Sequence, residues 1–167
     1  SGRMLASARP LYRQLGLNTP AICCNGAYVA LPDGEMLYRC PIARPDAARV
    51  IAFARERNLY VQYYVGENYY YEKDCPERVH YEKHIGVKAT FVPDLTAIQD
   101  DTDKLLMIGL PSLERMLAPV RAAFPEFAVG MSKPAYLEIN NPTATKGAAL
   151  RALAEHYGLG PESVMAI

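Results

Sequence analysis

The stretch Glu138-Ile-Asn-Asn-Pro-Thr-Ala-Thr-Lys146-Gly-Ala-Ala-Leu-Arg-Ala-Leu-Ala-Glu-His-Tyr157 joins the end of a strand to a helix through a loop that delivers one lysine. Thr145 is placed to cap that helix, Lys146 and Gly147 fall in its first turn, and Ala149, Leu150, Leu153 and Tyr157 recur at the helical period. Helix N-termini carry partial positive charge and free N–H groups. A lysine there is mildly unfavourable unless an anion sits nearby, and phosphate is the natural guest. The alternative is a solvated surface lysine.

The two ends of the chain bear on that choice. Ser1-Gly2-Arg3 leads into Met4–Leu15, where Leu5, Ala8, Leu11, Tyr12 and Leu15 fit one helical face. Gly16 to Pro20 stops the helix, and Ala21–Ala30 reads as a short buried strand interrupted by Asn25-Gly26. Pro161–Ile167 is expected to enter an apolar strand.

In their order and spacing, Ser1-Gly2-Arg3, Asn25-Gly26-Ala27 and Lys146-Gly147 resemble the haloacid dehalogenase (HAD) superfamily, specifically the Cof-type phosphatases of subclass IIB. The resemblance covers the whole chain. It implies an α/β fold: part of a Rossmann-like core, residues 1–41 and 141–167, with a large inserted α+β cap at about 42–140. It also implies a magnesium-dependent phosphomonoesterase acting on a sugar phosphate or similar small ester through an aspartyl-phosphate. In that reading Ser1 Oγ and the Gly2 N–H hold phosphoryl oxygens, and Lys146 neutralises charge on the nucleophile and the transferring group. Asn25 either stands at the mouth of the site or serves only as a left-handed turn residue. Arg3 either reaches an anionic or polyol substrate or pairs on the surface.

The family's Asp-x-Asp motif is expected upstream of Ser1 and its Gly-Asp-x-x-Asn-Asp loop after Ile167, so the Mg2+ ligands are expected outside these residues. The chain alone is therefore expected to be inactive. A phosphomutase on the same core, and a chain that only binds or folds, stay open as alternatives.

Composition sets outer limits. The 18 Lys and Arg balance 18 Asp and Glu, and no dense basic run appears, which argues against nucleic acid or an anionic membrane as main partner. A small phosphorylated substrate is the expected partner. No stretch approaches transmembrane length. Cys23, Cys24, Cys40 and Cys75 lack zinc-type spacing and are expected to be reduced, consistent with a cytoplasmic location. His80 and His84, four apart on a predicted helix, have no third ligand and read as a surface pair.

Between the ends, a hairpin is predicted from the Ala21–Ala30 strand through a turn at Leu31–Gly34 to a returning strand over Glu35–Arg39, then a helix over Asp46–Asn58 and a tyrosine-rich hairpin over Tyr60–Tyr64 and Tyr69–Lys73. A short helix from Pro76, strands over Lys88–Val92 and Lys104–Gly109, a helix capped by Ser112, and paired strands over Phe127–Met131 and Ala135–Ile139 complete the pattern. If Tyr64 opposes Tyr69, Val61, Tyr63, Val65 and Tyr70 share one face, suited to a helix-covered core. Gln62, Tyr64, Tyr69 and Tyr71 share the other. That second face is expected either to offer rings and hydroxyls to a polyol substrate or to be an ordinary exposed or interface surface.

Overall fold

The computed structural model describes residues 1–165. Its small sheet comes from the first third of the chain. Helix α1 (Leu5–Gln14) leads into β1 (Ala21–Cys23), β2 (Tyr28–Ala30) and β3 (Met36–Arg39), which pair antiparallel in the order β1-β2-β3. The predicted strand over Ala21–Ala30 is thus two strands, folded on themselves with Ala21 opposite Ala30. The reason is local: Cys24, Asn25 and Gly26 all take positive φ (47°, 64° and 104°), which turns the chain within a 3-10 segment. Cys24 therefore lies in the turn rather than in the strand. All four cysteines are free thiols, and burial pushes Cys23 up to about 11 and Cys24 up to about 12.

Helix α2 (Arg44–Glu56) opens the larger unit. It is followed by β4 (Tyr60–Val65), β5 (Asn68–Tyr71), α3 (Pro76–Ile85), β6 (Thr90–Phe91), β7 (Lys104–Ile108), α4 (Leu117–Ala123), β8 (Ala128–Lys133) and β9 (Tyr136–Asn140). Six strands form one sheet in the order β6-β5-β4-β7-β9-β8, antiparallel except for β5 with β6. Ser112 does not cap a helix as expected. Its Oγ donates to Pro134 O and accepts from Glu114 N at 3.3 Å at the head of a 3-10 turn over Glu114–Met116, and α4 starts only at Leu117, which leaves Pro119 in the first turn where its missing N–H is harmless.

Period-two alternation divides the large sheet as expected. Val61, Tyr63, Leu105, Met107, Leu137 and Ile139 point to α2 and α4 and form one apolar cluster with Val50, Ile51 and Val120. Tyr60, Tyr64, Tyr69, Leu106, Ile108 and Tyr136 point the other way. They pack against Tyr81 of α3 and against Met4, Leu5, Cys24 and Tyr28, so this cluster joins the two sheets.

The last helix, α5 (Lys146–His156), returns to the small sheet and contacts β1, β2, β3 and the 3-10 turn. Thr145 is its N-cap, with Oγ1 accepting from Ala148 N at 3.0 Å. Ala149 is buried and Leu150 and Leu153 are half-buried, but Tyr157 is exposed, so the apolar face is shorter than the periodicity suggests. Pro161–Ser163 forms a 3-10 turn, and the end of the strand expected there lies outside the described residues.

Gly26 fixes how α5 meets the small sheet. A Cβ there would lie 2.3 Å from both the C and the O of Thr145 and 2.7 Å from Lys146 N. Its φ of 104° also disfavours any side chain. Gly26→Ala should therefore lower unfolding stability by about 2 kcal/mol or more, measured by urea denaturation, because backbone rather than a flexible side chain must move.

Candidate functional site

Three segments far apart in sequence meet at the Asn25-Gly26 turn. Ser1–Arg3 runs beside β1 and its turn: Ser1 N donates to Ile22 O at 2.9 Å, Asn25 N to Ser1 O at 2.9 Å, and Cys24 N to Arg3 O at 2.9 Å. A Cβ on Gly2 would stand 2.9 Å from Asn25 Oδ1, and Gly26 lies against Thr145–Lys146. The Ser1 ammonium is held below its usual value by burial first and then by the charge of Lys146. Ser1, Gly2 and the start of α5 at Lys146 therefore meet at the same turn. Ser1 Oγ accepts from Arg3 N at 3.1 Å, which leaves its own proton free to donate.

Asn25 is a turn residue that also lines a cleft. It is left-handed, and its Nδ2 donates to Glu138 Oε2 at 2.6 Å and Asn140 Oδ1 at 3.1 Å. With both amide protons engaged, Asn25 acts on the cleft as a brace that lines its wall. Arg3 is exposed at the rim and has no acidic partner among the described residues.

Sequence reasoning missed Lys104 and Glu138. Lys104 is the one charged residue of β7, at its start, and Glu138 the one charged residue of β9, at its middle; Lys104 is opposite Tyr64 and Glu138 opposite Leu106. Lys104 Nζ sits 3.7 Å from Glu138 Oε2, donates to Gly2 O at 3.1 Å, and lies 4.9 Å from the Tyr64 ring centroid. Burial would discharge both groups. For Glu138 that upward push is outweighed by the Lys104 charge and by hydrogen bonds that include the one from Asn25, so its carboxyl is held below the ordinary range. For Lys104 the downward push of burial is outweighed chiefly by Glu138, so its ammonium is held above. The available signal was a lone Lys and a lone Glu in phase with the buried tyrosine face.

The tyrosine face corrects an expectation. Gln62, Tyr64 and Tyr69 are 0%, 1% and 0% exposed. Tyr64 Oη is 2.8 Å from both Gln62 Oε1 and Tyr81 Oη, Gln62 Nε2 donates to Tyr60 Oη at 3.0 Å, and Tyr69 Oη donates to Val87 O at 2.8 Å. The rings of Tyr64 and Tyr69 stack with centroids 5.3 Å apart, as their opposite register requires. Tyr71 is half-buried against Phe91 and Arg78. None of these four lines the clefts described next. Helix α3 and the Ser1–Leu5 segment cover the face, so its hydroxyls satisfy one another instead of a ligand.

Two adjoining clefts open beside the convergence. One, of about 370 Å³, is lined by Asn25, Ala128–Ser132, Glu138, Asn140 and Ala144. The other, of about 200 Å³, includes Gly2, Arg3, Tyr81, His84, Lys133 and Tyr136, and the two share Ser132 and Glu138. Among the described residues no group of three or more His, Cys, Asp or Glu side chains is placed to hold a metal ion. An Asp-x-Asp does occur at Asp101-Thr102-Asp103, but it is committed elsewhere. Asp103 accepts from Arg39 Nε at 2.7 Å and Gly66 N at 2.6 Å, and Asp101 accepts from Arg44 N at 2.9 Å.

The sequence pattern of haloacid dehalogenase-like hydrolases matches residues 1–167. The chain belongs to that family. A Haemophilus influenzae protein named provisionally as a phosphatase is 25% identical over 173 residues, covering 99% of this chain and 64% of that protein. A crystal structure from Thermotoga maritima is 32% identical with a TM-score of 0.83, covering 95% of this chain and 61% of that one. The fold is that of the Cof-type, subclass IIB haloacid dehalogenases. A subclass IIB sugar phosphatase gives a TM-score of 0.77 at 17% identity, covering 96% of this chain and 62% of that one, a likeness of fold alone. This haloacid dehalogenase-type chain thus spans less than two thirds of the length of each of these relatives. No helix among the described residues is long and apolar enough to cross a membrane.

The buried network sets two expectations. Tyr64→Phe removes a hydroxyl that Gln62 and Tyr81 both use, and should cost about 1–3 kcal/mol in urea unfolding. A carboxylate whose folded pKa is depressed contributes stability that is complete above its unfolded value of about 4.3 and is lost as pH falls through the folded value. Unfolding stability should accordingly fall as the pH is lowered below about 5, and Glu138→Gln should reduce that slope, as followed by urea titrations in acid.

Proposed function

We propose that this protein is a phosphomonoester hydrolase acting on a sugar phosphate or similar small ester, with Mg2+ and an aspartate nucleophile supplied by residues beyond those described. The observation that carries the reading is the convergence of Ser1, Gly2 and Lys146 at the start of α5, beside a cleft. Ser1 Oγ and the Gly2 N–H donate to phosphoryl oxygens, and the Lys146 ammonium offsets the charge that builds on them. Magnesium, when bound, supplies further charge neutralisation. Because Asp101 and Asp103 are engaged by Arg44, Arg39 and Gly66, the chain on its own is expected to be inactive.

Residues 42–140 are proposed to form an inserted cap, with 1–41 and 141–167 contributing to the core. In support, the two crossings lie side by side: Asn141 Nδ2 donates to Pro41 O at 2.8 Å, and Cys40 Sγ is 3.2 Å from Thr143 Oγ1. A segment inserted into another unit must leave and return at neighbouring points.

In a polypeptide that adds the family's aspartates, Lys146→Ala should lower kcat by about two to three orders of magnitude in a phosphate-release assay with magnesium, and Ser1→Ala by less. Near-normal kcat in the lysine variant at saturating substrate would make Lys146 a surface residue and remove the reading. Oxygen-18 from labelled water appearing in released phosphate distinguishes hydrolysis from return of the phosphoryl group to substrate, the mutase outcome.

A further inference from the structure

The smaller cleft carries an imbalance of charge. Arg9, Arg39, Arg49, Arg55, Arg57 and Arg78 each have an acidic partner. Arg3 and Lys133, which face this cleft, have none among the described residues. Lys133 Nζ lies 2.9 Å from His84 Nε2 and 5.5 Å from the Tyr136 ring centroid, so two basic groups are held together against an aromatic wall. The carboxylate in the lining, Glu138, is already engaged by Lys104 and Asn25. Gly2 belongs to the same lining, which places this basic wall next to the group assigned above to a phosphoryl oxygen.

We infer that the Arg3–His84–Lys133 wall binds a second anionic group, a carboxylate or a second phosphate, on the alcohol portion of the substrate. The inference rests on the proposed phosphoester site and narrows its substrate class to monoesters of hydroxy acids and to bisphosphates. Two donors with no acid lining one cleft, Lys133 over the Tyr136 ring and Arg3 beside it, give charge-assisted hydrogen bonds that a neutral polyol end cannot use fully. His84 adds an element that responds to occupancy. Its imidazole is held below the ordinary value by burial first, then by Lys133, Arg3 and His80. The other groups on this face are Tyr81 and Tyr136 on neighbouring elements and the Lys104–Glu138 pair. An anion seated between Lys133 and Arg3 offsets their charge and favours the imidazolium.

The test reads binding directly, so it does not depend on turnover. The chain has three histidines, and His84→Gln assigns the relevant imidazole signal by NMR. With 3-phosphoglycerate present, the His84 titration midpoint should rise by about one pH unit, and it should rise much less with glycerol 3-phosphate, which lacks the carboxylate. Fructose 1,6-bisphosphate against fructose 6-phosphate is the corresponding pair for a second phosphate. Preference for the doubly anionic member of at least one pair, abolished by Lys133→Gln, supports the inference. Equal responses within both pairs, or a preference that survives in both Lys133→Gln and Arg3→Gln, overturn it. Loss of activity in a complete polypeptide with the NMR preference intact would instead count against the hydrolase reading.

Discussion

Glu138 is the point on which the two sheets and the site depend together. Its carboxylate extends from β9 of the large sheet, takes a hydrogen bond from Asn25 on the turn of the small sheet, and faces the ammonium of Lys104 on β7. Lys104 in turn donates to Gly2 O, so the backbone of the Ser1–Arg3 segment is tied to the same pair. Removing either charge alone would strand the other in a buried environment, a cost of about 3–5 kcal/mol. A pair this costly to break specifies one relative placement of the two units, because sliding one sheet would separate charge from countercharge.

The packing around this pair explains why the site has its shape. Tyr64 contributes its ring face to Lys104 and its hydroxyl to Gln62 and Tyr81, so the tyrosine layer surrounds the charges and closes them off from water on one side. The open side is the cleft. Gly26 allows α5 to approach until the Thr145 carbonyl touches the turn, which brings Lys146 to Ser1. The site is therefore a consequence of close backbone contact at one turn and of a buried ion pair beneath it.

Two features of the pattern follow from the same economy of space. The proposed joint at Pro41 and Asn141 is held by a side-chain hydrogen bond, while Arg39 and Asp103 add an ion pair across it in which Asp103 is buried and Arg39 partly exposed. Burial lifts the Asp103 carboxyl above its ordinary value even though Arg39 and the Gly66 N–H oppose that shift. The acids that a sequence search for paired aspartates would pick out are thus structural fixtures of the joint.

The sequence by itself determined most of the elements, the strand faces of the tyrosine hairpin, the Thr145 cap and the family. Periodicity, turn residues and the ordered Ser1-Gly2-Arg3, Asn25-Gly26 and Lys146-Gly147 segments are local or order-dependent signals, and each is readable without knowing what lies opposite. Only the tertiary structure decided what covers each face. Alternation put Gln62, Tyr64 and Tyr69 together correctly, but whether α3 and Ser1–Leu5 or a substrate would meet their hydroxyls depends on contacts between residues distant in sequence. The same holds for Lys104 and Glu138 and for the basic wall of Arg3, His84 and Lys133. Charges and hydroxyls gain their meaning from partners, and those partners are chosen when the two sheets pack.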